Sequence, residues 1–141
     1  MKRKHKLLTP NFSLPTNMES KMDKPHKNLK AWTLSMDIVE GIYSATKTFP
    51  AEEKFGLMSQ IRRSAVSIPS NIAEGAARNT KKEFVHFLHI SQGSLSELDT
   101  QLELAFRLQY LDENTWEKFN DMLIEEDKII SGLIRSQKEV G

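Results

Sequence analysis

The chain has 141 residues, with 20 Lys and Arg against 19 Asp and Glu, no Cys, five Pro and six Gly. That length fits one domain with a sizeable core, and the lack of Cys excludes disulfide scaffolds, thiolate zinc sites and cysteine nucleophiles. No apolar run nears the roughly 18 residues of a membrane span, and Leu7-Leu8 behind the basic start falls short of the ~7–15 apolar residues of a secretory signal, so a soluble cytoplasmic protein is expected.

Charge is distributed unevenly. Residues 1–30 hold eight Lys and Arg against Glu19 and Asp23, whereas residues 31–141 hold twelve basic and seventeen acidic residues. With Pro10, Pro15 and Pro25 and no sustained apolar period, residues 1–28 read as a disordered basic arm. Such an arm either contacts nucleic acid or is a solvated tail, and it lacks the interleaved aromatics of single-strand binders. Met18 and Met22 are both candidate starts of translation. A start at Met22 would lead directly into the first helix.

From residue 29 the pattern is helical. Leu29, Trp32, Met36, Val39 and Tyr43 step by three and four, one face of a helix, which Phe49-Pro50 ends. Pro50-Ala-Glu-Glu53 is expected to open a second helix, with acids in the first turn favouring its dipole. Its apolar face is Met58, Ile61, Ala65, Ile68, Ile72 and Ala76. Thr80 and Glu83 form a capping box for a third helix that carries Phe84, Phe87, Leu88, Ser91, Leu95, Leu98, Leu102, Ala105 and Leu108. After a stop at Tyr110–Asn114, a fourth helix presents Trp116, Phe119, Leu123, Ile130 and Leu133. Four amphipathic helices on short loops predict an all-α fold, an antiparallel up-down four-helix bundle over 29–138.

Pro69 lies inside the second helix and removes the bond to the Ala65 carbonyl, so a kink, or two helices meeting at Ser67–Pro69, is expected. On the same helix Gln60, Arg63, Ser67, Asn71, Glu74 and Arg78 share a stripe, with the small residues Ser70, Ala73 and Ala77 beside it. Ser and Asn are mediocre helix formers. Their presence predicts contact with a neighbouring helix or subunit, the alternative being a plain solvent face.

The run Gln60-Ile-Arg-Arg-Ser-Ala-Val-Ser-Ile-Pro-Ser-Asn-Ile-Ala-Glu-Gly75 resembles the signature of the four-helix-bundle family first named for proteins encoded in 23S ribosomal RNA intervening sequences. Leu29–Trp32, Thr46–Pro50, Glu83-Phe84, Phe87-Leu88 and Gly93–Leu98 extend the resemblance over residues 29 to about 111. It implies a bacterial, cytoplasmic homo-oligomer, a pentameric ring, with Gln60, Arg63, Ser67, Pro69, Asn71, Glu74 and Gly75 at a helix or subunit interface. It also implies similarity to the accessory variability proteins of diversity-generating retroelements, which bind nucleic acid and a reverse transcriptase. No catalytic residues come with it. Ser91 stands where the family more often has Ala and is expected to alter packing slightly and nothing more.

Enzymatic readings find little support. A di-metal bundle needs two Glu-x-x-His pairs, and only Glu83-x-x-His86 occurs, followed by His89. No phosphate-cradling or nucleophile-elbow motif is present, and the acids of the fourth helix read as a solvated face. No metal, cofactor or catalytic residue is therefore expected. Basic residues cluster at Arg62, Arg63, Arg78, Lys81 and Lys82, with Glu74 alone among them, and ten acids lie between Glu97 and Asp127. Head-to-tail assembly would set basic surface on acidic surface. Repetition round a ring would instead concentrate Arg62, Arg78, Lys81 and Lys82 into a phosphate-binding rim. The charge pattern thus predicts a non-enzymatic module that binds nucleic acid, RNA foremost, or acts as a scaffold, and the resemblance implies that it is a homo-oligomer and an accessory to a reverse transcriptase. The alternative is a purely protein-binding oligomer.

Overall fold

In a computed structural model of the chain, residues 22–139 are described. The expected arm falls mostly on residues 1–21, outside the described residues. Its last part does not: Pro25–Asn28 form a 3-10 turn, and His26 sets its ring edge-on to Trp32, 5.1 Å between centroids. Four α-helices follow: α1 (Lys30–Thr46), α2 (Leu57–Ala76), α3 (Lys81–Arg107) and α4 (Glu113–Glu139). The described residues contain no strand.

The helices pack in cyclic order, α1 on α2, α2 on α3, α3 on α4 and α4 on α1. Ser67 meets Ser94, Ile68 meets Ser91, and Gly75 meets Phe84 and Phe87. Contact therefore moves up α2 as it moves down α3. Gln92 meets Ser131 while Phe106 stacks on Trp116 at 4.2 Å, the same reversal between α3 and α4.

The core is built from Ile38, Ile42, Ile61, Ile68, Ile72, Leu88, Leu98, Leu102 and Ile130, all fully buried. Two expectations about it need correction. The buried face of α1 is Ala31, Ser35, Ile38, Ile42 and Thr46, about a quarter turn from the predicted one. Trp32 and Val39 are half-buried at the α2 border, and Met36 and Tyr43 are exposed. The large side chains drew the eye, yet Ile38 and Ile42 with two small hydroxyls let α1 sit closer to its neighbours. The second correction concerns Glu126, which lies at the centre of the buried stripe of α4, although its charge-rich neighbourhood reads as solvated.

Helix boundaries follow local chemistry. Pro50 does not open α2. Ala51–Glu53 make a separate 3-10 turn, and α2 begins at Leu57, whose N–H is capped at 2.9 Å by Glu53 Oε1. Glu53 Oε2 also accepts the Tyr110 hydroxyl at 3.0 Å, tying the start of α2 to the end of α3. That bond raises the Tyr110 pKa above its ordinary value. Thr80 Oγ1 caps α3 by accepting from Glu83 N at 3.1 Å, and gives its own proton to Glu83 Oε1. In a full capping box that carboxylate takes the backbone N–H of the cap. At the C-terminus of α3, Gln109 adopts φ 67°. Tyr110 N bonds to Ala105 O and Gln109 N to Phe106 O, a Schellman cap without its usual glycine. Asp112 starts α4 by accepting from Thr115 N at 2.7 Å, which holds its carboxyl below its ordinary value.

α2 runs from Leu57 to Ala76 through Pro69 as one continuous helix, not as two.

Candidate nucleic-acid interface

The middle of the polar stripe of α2, Ser67 and Asn71, forms an internal seam with α3. Ser67 Oγ lies 2.7 Å from Ser94 Oγ, a hydroxyl pair in which either can donate, and accepts from Asn71 Nδ2 at 2.9 Å. Asn71 also donates to the Ser67 carbonyl. Ser91, buried, donates to the Ile68 carbonyl at 3.0 Å, directly before Pro69. It therefore does more than adjust packing, since it gives α3 a polar hold on α2 beside the proline. Pro69 and Gly75 are buried in this seam. A Cβ on Gly75 would stand 2.7 Å from Phe87 Cβ and 2.9 Å from Phe84 Cδ1, so close approach of α3 requires glycine there.

Of the stripe, Gln60, Arg63, Glu74 and Arg78 are exposed. Glu74 pairs with Arg78 one turn on, and the Arg78 guanidinium lies 4.9 Å from the centre of the Phe87 ring. The outward side of α2 is Val66, Ser70 and Ala77, with Ala73 half-buried beside them. Met36 and Tyr43 border it from α1, 38% and 41% exposed.

The structure does not bring the four predicted phosphate ligands together. Arg62 Nε donates to Thr46 Oγ1 at 2.8 Å, and its NH2 group donates to the Tyr43 carbonyl at 3.3 Å. Its guanidinium covers the Tyr43 ring at 4.4 Å. Arg62 thus satisfies carbonyl and hydroxyl groups at the C-terminus of α1, where a cation also complements the helix dipole. Along α2 it lies about 24 Å from Arg78.

Arg78, Lys81 and Lys82 occupy the tight turn into α3, and both lysines are exposed. Segments remote in sequence join them. The turn carrying Lys24 and Lys27 packs on α1 and α2, and Lys30 begins α1. Arg62 on Thr46 fixes the end of α1 at the start of α2, so the start of α1 lies beside the end of α2. The Gln92–Ser131 bond at 3.0 Å sends the last turns of α4, with Arg135 and Lys138, toward the first turns of α3. One end of the bundle therefore carries Lys24, Lys27, Lys30, Arg78, Lys81, Lys82, Arg135 and Lys138 against Asp23, Glu74, Glu83 and Glu139. Sequence reasoning found three of these eight. Of the other five, Lys24, Lys27 and Lys30 belong to the basic first thirty residues and Arg135 and Lys138 to the end of α4, and only the order of the helices brings them to the α2–α3 turn.

His86 and His89 are exposed on the outward face of α3, and Glu83 is engaged by Thr80. Among the described residues no three His, Asp or Glu side chains converge as a metal site requires, and no helix is long and apolar enough to cross a membrane.

No curated protein matches the chain. A solved structure from Bacteroides thetaiotaomicron, described as a protein of unknown function from the S23 ribosomal protein family, superposes with a TM-score of 0.69. It is 26% identical, and the match covers 74% of this chain and 97% of that one. The family model for the 23S rRNA-intervening sequence protein matches residues 27–132. With that span, and with the signature run of α2 forming the seam to α3, the chain belongs to the 23S rRNA-intervening sequence protein family.

Proposed function

We propose that this bundle is a non-enzymatic, self-associating module that binds nucleic acid, structured RNA foremost, through its basic end. The observation that carries this reading is the gathering of eight cations from four separate segments at that end. Phosphate neutralisation by Lys and Arg supplies most sequence-independent affinity for nucleic acid. Lys81 and Lys82 also sit in the first turn of α3, where the helix dipole favours anions. Self-association is supported by the exposed apolar side chains of Met36, Tyr43 and Val66, since exposed apolar patches mark contact surfaces. A ring would multiply the basic end, and a protein bound to the same RNA, such as a reverse transcriptase, would then be a partner.

The test is fluorescence anisotropy of a structured RNA with the full chain across a salt series. Each phosphate contact contributes about 0.7–0.9 to the slope of log affinity against log salt. Lys81→Ala/Lys82→Ala should weaken binding and flatten that slope by roughly 1.4–1.8. An unchanged slope refutes the basic end as the site. Absence of RNA binding by the parent chain, with a stable oligomer by light scattering, moves the reading to a protein-binding oligomer.

A further inference from the structure

A groove of about 460 Å3 runs along the outside of the bundle between α3 and α4. Leu95, Leu123 and Ile124 give it an apolar floor, and Asp99, Asp127 and Lys128 stand along it. Ile124 is 55% exposed. Asp127 accepts from Gln92 at 3.2 Å, and Asp99 makes no ion pair among the described residues. Asp121 and Glu125 adjoin the groove on α4. The surface asks for a segment that combines several cations with branched apolar side chains.

We propose that this groove is the docking site of the chain's own first residues, with Lys2, Arg3, Lys4 and Lys6 set against Asp99, Asp127 and the neighbouring acids and Leu7 and Leu8 laid on Leu123 and Ile124. The complementarity is double, in charge and in apolar character, and among the described residues no segment offers both so closely spaced. Reach is sufficient. Thirteen residues separate Leu8 from Met22, which extended span about 43 Å. Ile124 in the groove lies 15 residues before Glu139, about 23 Å along the axis from the end of the bundle where Met22 lies. Single exposed ion pairs are weak. Several such pairs within one chain act together, because forming the first makes the next intramolecular. The docking does not rest on the nucleic-acid reading, since it uses the face of the bundle away from the basic end.

The chain has no cysteine, so one spin label can be placed at Thr100→Cys, exposed beside the groove, in the full chain. Amide signals of residues 2–8 should lose intensity from that label at low salt and regain it at high salt. They should also regain it in Asp99→Lys/Asp127→Lys and in Lys4→Glu/Lys6→Glu, the second of which leaves the bundle untouched. A label at Ser44→Cys, on the outward side of α1, should leave these signals intact. Equal broadening from both labels, or broadening indifferent to either charge reversal, overturns the docking. So does broadening carried from a labelled chain to an isotope-enriched unlabelled one, which would place the arm on a second copy.

Discussion

Glu126 is fully buried, and neither of its carboxylate oxygens has a hydrogen-bond partner. The helices packed on α4 offer it nothing charged. The buried residues of α1 are Ala31, Ser35, Ile38, Ile42 and Thr46, and those of α3 are aliphatic, Ser or Gln. Burial first, and the adjacent Glu125 second, raise its pKa from the ordinary 4.5 to about 8. The folded state therefore holds a proton that the unfolded state releases above pH 4.5, so this group costs stability as pH rises from there, with the cost complete above about pH 8. At pH 7 the span from 4.5 corresponds to about 3 kcal/mol. Glu126→Leu, close in volume and not ionisable, should thus gain stability relative to the parent by about 1.4 kcal/mol per pH unit between about pH 5 and 8. Urea unfolding of both proteins over that range isolates the difference, because all other titrating groups are shared. A difference independent of pH refutes the reasoning, since it would mean that the Glu126 carboxylate finds solvent or a partner when it ionises.

Gly75→Ala should destabilise the fold by about 1–3 kcal/mol, because the added methyl meets the Phe87 Cβ, which no side-chain rotation removes; a raised urea midpoint would contradict this. Gln109→Gly should stabilise by about 1 kcal/mol by relieving a left-handed backbone conformation, read as a higher melting temperature. Arg62→Met should cost about 1 kcal/mol through the lost bonds to Thr46 and Tyr43 while leaving the salt slope of RNA binding unchanged, since this arginine lies away from the basic end.

Helix number and the buried stripes of α2 and α3 were legible because their apolar residues recur without interruption. Ile61, Ala65, Ile68 and Ile72 need nothing beyond a period of 3.6. α1 misled because two stripes lie side by side, and the one with Trp32 and Tyr43 is larger but sits at a helix border. Glu126 was illegible for a different reason: local charge density cannot report that the spacing Leu123, Glu126, Ile130 carries one acid into the core. The start of α2 depends on Glu53 reaching forward to cap Leu57, a local contact that Pro50 alone does not reveal. The basic end was half legible, because charge was visible in the sequence but the adjacency of four segments was not.

The residues that carry the family signature divide by what they touch. Ser67, Asn71, Pro69 and Gly75 are used inside the chain, and their partners are Ser94, Phe84 and Phe87 of α3. Ser91 completes the set by bonding to the Ile68 carbonyl. Together they let α2 and α3 approach at glycine distance around a helix-interior proline, an arrangement in which small side chains and paired hydroxyls replace bulk. A signature of this kind specifies architecture, and it would persist in bundles with different ligands. What distinguishes this chain functionally must therefore be sought off the seam. On α2 that leaves Gln60, Arg63, Val66, Ser70 and Ala77, which face outward, and at the end of the bundle it leaves the eight gathered cations. Charge reversal at Lys81 and Lys82 should consequently change what the bundle binds without lowering its melting temperature, since acids in the first turn of α3 suit the helix dipole, whereas Ser67→Leu should lower the melting temperature.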